Sequence, residues 1–80
     1  MADATIIETT VEDVEKIVNF GDKVKHVLKC KSENGLLTSI YWTCRELEFN
    51  RGDKLRIKGR FAGDAFLCWQ MQILKRAKKG

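Results

Sequence analysis

The sequence predicts an all-β domain, a small Greek-key barrel of five strands, and three observations predict it. Residues 54–61 alternate strictly: Lys54, Arg56, Lys58 and Arg60 on one side, Leu55, Ile57, Gly59 and Phe61 on the other. In a helix those four cations would be spread around the circumference, whereas in a strand they form one row above an apolar row. Residues 23–31 repeat the pattern, with Val24, His26, Leu28 and Cys30 opposite Lys23, Lys25, Val27, Lys29 and Lys31. Between that run and the apolar run 36–43 lies Ser32-Glu33-Asn34-Gly35, whose Asn-Gly pair is the strongest hairpin signal in the chain.

Taken in order, residues 1–5 are expected to be loose. Residues 6–18 fit two patterns, because Val11, Val14, Ile17 and Val18 make a helical stripe while β-branched residues dominate the segment. The strand is chosen, since the sheet that follows needs a first strand to close against. Asn19 to Asp22 carries turn chemistry and leads into the second strand. The third strand, 36–43, has an aromatic residue on each face. Its more apolar set, Leu36, Ile40 and Trp42, is assigned to the core, which leaves Tyr41 exposed on the face of the lysine row; the opposite parity would expose Trp42 instead.

Residues 44–50 lack alternation and are expected to form a short helix or loop between the third and fourth strands. Ala62-Gly63-Asp64 is a tight turn into the fifth strand. There Leu67, Trp69, Met71 and Ile73 are assigned inward, and Phe66, Cys68, Gln70 and Gln72 outward. The basic end, residues 75–80, is expected to fray. Eighty residues make a single domain, above the roughly 40 below which a core usually needs disulfides, a metal or a partner.

No apolar run approaches the roughly 18 residues of a membrane span, and the amino terminus lacks a signal-peptide layout, so the expected location is the cytoplasm, away from membranes. Cys30, Cys44 and Cys68 are odd in number and widely spaced, which fits buried reduced thiols. No cysteine or histidine cluster has metal-ligand spacing. His26, in the apolar row of its strand, is expected to be structural. No carboxylate pair, nucleophile elbow or phosphate loop is visible, so neither catalysis nor a cofactor is expected.

Charge is unevenly distributed. Residues 1–22 hold six acidic residues against Lys16 alone, and of a net charge of plus four the remainder therefore carries plus nine. Such a field concentrates polyanions, and nucleic acid is the commonest of these for a small basic domain. Binding a single strand needs cations for phosphates and flat rings for bases. Lys25, Lys29 and Lys31 on the second strand and Arg56, Lys58 and Arg60 on the fourth are the candidate cations. Tyr41 and Phe66 are the candidate rings, and all are expected along one groove between the first and last turns. Trp69 and Phe61 are assigned to the core.

The pattern from Gly21 through Lys23 to Cys30, then Leu36 to Trp42, then Arg51-Gly52-Asp53-Lys54-Leu55-Arg56-Ile57-Lys58-Gly59, and last Gln70-Met71-Gln72-Ile73, resembles OB-fold nucleic-acid-binding domains. It is most similar to the OB-like domain of RecJ-type single-strand exonucleases, over residues 11–74. The resemblance implies an OB-fold barrel whose second and third strands form the ligand face. It also implies single-stranded DNA or RNA as partner, in a module without the exonuclease's catalytic motifs. The first strand departs from the family pattern at Val11-Glu12-Asp13-Val14. Two alternatives stand beside it. One is an assembly subunit for a larger nuclease or replication/repair protein, with an outward patch of Val27, Leu37 and Phe66; the other is an Sm-like RNA-binding oligomer, with residues 12–18 as its leading helix.

Overall fold

The computed structural model describes residues 4–33 and 35–77. Asn34 of the Asn-Gly pair lies outside the described residues, as do residues 1–3 and 78–80 of the two expected loose ends. Five strands form: β1 (Thr5–Phe20), β2 (Lys23–Ser32), β3 (Gly35–Thr43), β4 (Lys54–Ala62) and β5 (Ala65–Lys75). They close into a barrel in the ring order β1-β2-β3-β5-β4, every neighbouring pair antiparallel except β3 with β5. The five-stranded Greek-key barrel expected from the sequence is thus the fold, and the 44–53 connection is a loop without a helix.

One long strand closes the ring. Thr5–Thr10 pairs with β4 and Thr10–Phe20 with β2, so Thr10 faces Lys54 on one side and Lys31 on the other. Register shifts between Val11 and Asp13 and between Val14 and Lys16 mark two β-bulges, with Glu12 and Glu15 as the extra residues. Bulges bend a strand and raise its twist, which lets β1 turn from one neighbour to the other. The segment 12–18 is strand throughout, so the leading helix of the Sm-like alternative is not there.

Two hairpins turn on a Gly-Asp pair. Gly21 and Gly63 have φ of 62° and 61°, while among the described residues none other than glycine has positive φ. Positive φ at the first central residue only is the II′ arrangement, whose twist matches that of the flanking strands.

Val11, Leu28, Cys30, Leu55, Ile57, Phe66 and Cys68 fill the barrel, joined by Phe49 from the loop. Full burial of side chains of this kind contributes about 1.5–3 kcal/mol each. His26 is also fully buried. Its Nε2 accepts the Leu47 backbone N–H at 2.9 Å, which makes Nδ1 the protonated nitrogen, donating to the Tyr41 carbonyl at 3.1 Å. The ring meets Phe49 edge-on at 5.6 Å and so fastens the 44–53 loop over the end of the barrel.

Four sequence expectations are corrected here. In β3 the core-side residues are Leu37, Ser39 and Tyr41, opposite Cys30, Leu28 and His26, whereas Leu36 and Trp42 are exposed. In β5 Phe66 and Cys68 are buried and Trp69 is exposed. The cause is a bulge: Gly59 faces Cys68 but Lys58 faces Gln70, which leaves Trp69 as the extra residue and reverses the parity, so that Met71 and Ile73 turn inward. Phe61 is exposed, its ring edge-on to Phe66 at 5.0 Å.

Fourth, the ends are more ordered than expected. Thr5 already pairs with Gly59 and Lys75 with Lys54. Beyond them the Ala77 N–H donates to Asp53 Oδ1 at 2.7 Å, and Arg76 donates to the Glu48 carbonyl and to Asp53 Oδ2. Of the cysteines, Cys30 is buried as expected, Cys68 is buried as a reduced thiol although the expected parity of its strand put it outward, and Cys44 is exposed. Burial pushes the Cys30 thiol up to about 11 and raises that of Cys68, so both stay protonated and unreactive.

Candidate nucleic-acid interface

The outer faces of β2, β3 and β5 form one surface, and the strand registers set its layout. One row runs Lys16, Val27, Ile40, Leu67, Arg60 across all five strands. Beside it Val18, Lys25 and Trp42 face one another on β1, β2 and β3. The last parallel pair of β3 and β5 is Tyr41 with Cys68, so Trp42 and Trp69 follow it on neighbouring strands. Both indoles are open to solvent, Trp42 at 45% and Trp69 at 52%.

Trp42 is held in place by its neighbours. Phe20, at the end of β1, lies 5.4 Å from it with the rings tilted by 48°, and Lys25 Nζ stands 5.9 Å from its ring centroid. An ammonium over an indole at this distance is worth about 0.5–1 kcal/mol at an exposed site. Asp22, Lys23, Thr43 and Cys44 line a recess of about 270 Å³ beside the same indole. A rigid ring next to a cation combines the two elements that single-strand binding requires, a stacking platform and a phosphate partner.

The predicted site residues fall into three groups. Lys25, Lys29 and Lys31 share the outer face of β2, as expected; Lys25 stands at Trp42, Lys31 at the far end opposite Leu36, and Lys29 between them is paired with Glu15 at 3.5 Å. Arg56, Lys58 and Arg60 share the outer face of β4, but the ring order separates β4 from β2 by β1 on one side and by β5 and β3 on the other. The expected single groove is therefore two faces. Only Arg60, through Leu67, borders the Trp42 surface. Arg56 gives two hydrogen bonds to Glu8 Oε2, at 2.9 and 3.3 Å, and Lys58 lines a shallow depression with Arg56, Ile6, Gln70 and Gln72.

The third group is the rings. Tyr41 packs against the core, and burial pushes its phenol above the ordinary value. Phe66 is fully buried. Neither is open to stacking, and the exposed rings on this side of the barrel are Trp42, Trp69 and Phe20. Hairpin arithmetic carries the signal for Trp42: a two-residue loop pairs even positions of β2 with odd positions of β3, so inward Val24, His26, Leu28 and Cys30 put Trp42 outside. For Trp69 the one signal is Gly59, since glycine within a strand marks a bulge or a close backbone approach.

Among the described residues no group of three or more His, Cys, Asp or Glu side chains is placed to hold a metal ion, and no helix is long and apolar enough to cross a membrane. No protein-family model matches this sequence, and neither a curated protein nor a solved structure matches it.

Proposed function

We propose that this chain is a non-catalytic module that binds single-stranded DNA or RNA across the outer face of β2, β3 and β5. The observation that carries the reading is the exposed Trp42, braced by Phe20 and Lys25, with Trp69 turned outward on the next strand by a bulge. Bulges commonly re-aim a side chain at a functional surface, and two exposed indoles on neighbouring strands offer flat faces on which bases can stack. The apolar floor of Val27, Ile40 and Leu67 suits base faces, and Lys16, Lys25 and Arg60 border it to meet phosphates. The resemblance to the OB-like domain of RecJ-type exonucleases supports the same ligand class, on the second and third strands.

Fluorescence anisotropy of labelled single-stranded DNA, single-stranded RNA and duplex, at low and moderate salt, tests it. Tighter binding to single strands that persists in part as salt rises is the expected result. Trp42→Ala and Trp69→Ala should each weaken that binding by about 1–3 kcal/mol, roughly 5- to 150-fold, with thermal stability little changed because both rings are exposed. Equal binding of all three probes that disappears with salt would leave only unspecific attraction to a basic protein.

A further inference from the structure

At one end of the barrel β1 and the β2–β3 hairpin part company. β1 pairs with β2 only from Thr10 onward, so along residues 5–8 the edge turned away from β4 has no strand beside it among the described residues. β3 pairs with β5 only from Thr38, which leaves residues 35–37 with one free edge as well. Residues of both free edges line the same groove, about 580 Å³ in volume. Ile7 and Leu37 lie along it, packed against the core, while Ile6, Leu36 and Phe61 are 60%, 63% and 57% exposed. The outward patch of Val27, Leu37 and Phe66 expected from the sequence does not form, since Phe66 is buried; three other exposed apolar side chains, Ile6, Leu36 and Phe61, gather in this groove instead.

We propose that the groove takes up an extended segment of a partner protein, added as a strand to the free edge of β1, with apolar residues at alternate positions and a Lys or Arg beside them. The backbone groups of an open edge need hydrogen-bond partners in register, which an extended chain supplies. The Thr5-Ile6-Ile7-Glu8 edge has no proline, no lysine and no bulge, the usual devices that keep another strand away. The pleat sends alternate side chains of the incoming strand toward Ile7 and Leu37, which sets the apolar period of two. Charge selects the rest. Among the described residues the charged ones lining the groove are Glu8, which Arg56 already pairs with, and Glu33, which has no ion-pair partner, so Glu33 favours a Lys or Arg on the incoming segment. The partner is therefore of a different class from the ligand of the Trp42 face.

The test is selection of a random peptide library against the whole protein, followed by fluorescence polarisation of the enriched peptides with wild type, Ile6→Arg and Leu36→Arg. Both side chains are exposed, so the variants should fold, and their melting temperatures check this. The expected peptides alternate apolar residues, carry Lys or Arg, and lose more than tenfold in affinity for either variant. They should also slow hydrogen exchange at the amides of residues 5–8. Failure to enrich any such pattern, or enriched peptides that bind the variants as well as wild type, would overturn the proposal. So would a dimer of the free protein that Leu36→Arg abolishes, because the groove would then belong to a second copy.

Discussion

Asp53 is the residue at which three segments meet. It is fully buried, and its carboxylate accepts the N–H groups of Asn50 and Ala77 and a guanidinium N–H of Arg76, at 2.9, 2.7 and 3.0 Å. Its own carbonyl accepts the N–H of Val11 at 2.9 Å, so β1 meets the main chain, and the 44–53 loop and the end of β5 the side chain, of one residue. Burial alone would push this carboxyl up, but the two backbone N–H groups and Arg76 outweigh it and hold it below the ordinary value. A group depressed on folding stabilises the protein fully above its unfolded value of about 3.9, and that contribution fades as pH falls through the lower folded value. Asp53→Ala should cost about 2–4 kcal/mol at pH 7, because it strands buried donors as well as removing their acceptor. Urea unfolding at pH 7 and at pH 2 checks this: the difference between variant and wild type should shrink toward the acid end, as the stabilisation that depends on the ionised carboxylate fades.

At the scale of the element, bulges explain both what the sequence revealed and what it concealed. Of the apparent helical stripe of β1, Val11, Val14 and Ile17 are opposite inward Cys30, Leu28 and His26, while Val18 is opposite outward Lys25. Each bulge adds one residue, so a period of two becomes a period of three, which imitates a helix. The strand was legible from its β-branched residues, but not its bulges. β2 and β4 have strict alternation through their central residues, and both faces of each could be read from sequence. β3 hid its parity because Ser39 is buried, with an Oγ that has no hydrogen-bond partner, while Trp42 is exposed; composition thus pointed the wrong way and hairpin length the right way. In β5 a single alternation cannot describe both halves, so Phe66 and Trp69 were exchanged.

Gly59 is where that second bulge becomes testable. A Cβ built there would stand 1.9 Å from the Leu67 carbonyl oxygen, a backbone atom that no rotamer change can move. Gly59→Ala must therefore shift β5 against β4, at a cost of at least about 1–3 kcal/mol. Because the shift falls at the bulge that exposes Trp69, the emission of Trp69 should change in a Trp42→Phe background while the melting temperature drops. A stable Gly59→Ala protein with unchanged emission would mean that the two strands do not approach this closely.

Over the whole molecule the acidic start and the basic remainder are not separate regions. The carboxylates of β1 lie between the two cationic faces: Glu8 pairs with Arg56 at 2.9 Å, Glu15 with Lys29 at 3.5 Å, and Glu12 with Arg51 at 3.7 Å. Two of them, Glu12 and Glu15, are the extra residues of the β1 bulges. Exposed pairs of this kind add little stability, about 0–1 kcal/mol, but they decide which cations are free to meet phosphate. On the Trp42 face, Lys25 and Arg60 have no ion-pair partner among the described residues, whereas Arg56 is held by Glu8 on the other side of the ring. Each phosphate contact on a single strand contributes about 0.7 to the slope of log affinity against log salt. Lys25→Gln and Arg60→Gln should each lower that slope by about this amount, and Arg56→Gln should leave it near the wild-type value. Anisotropy titrations over a series of salt concentrations read the slopes directly. If Arg56→Gln flattens the slope as much as Lys25→Gln does, the strand wraps onto the β4 face and the ligand path is longer than the Trp42 surface alone.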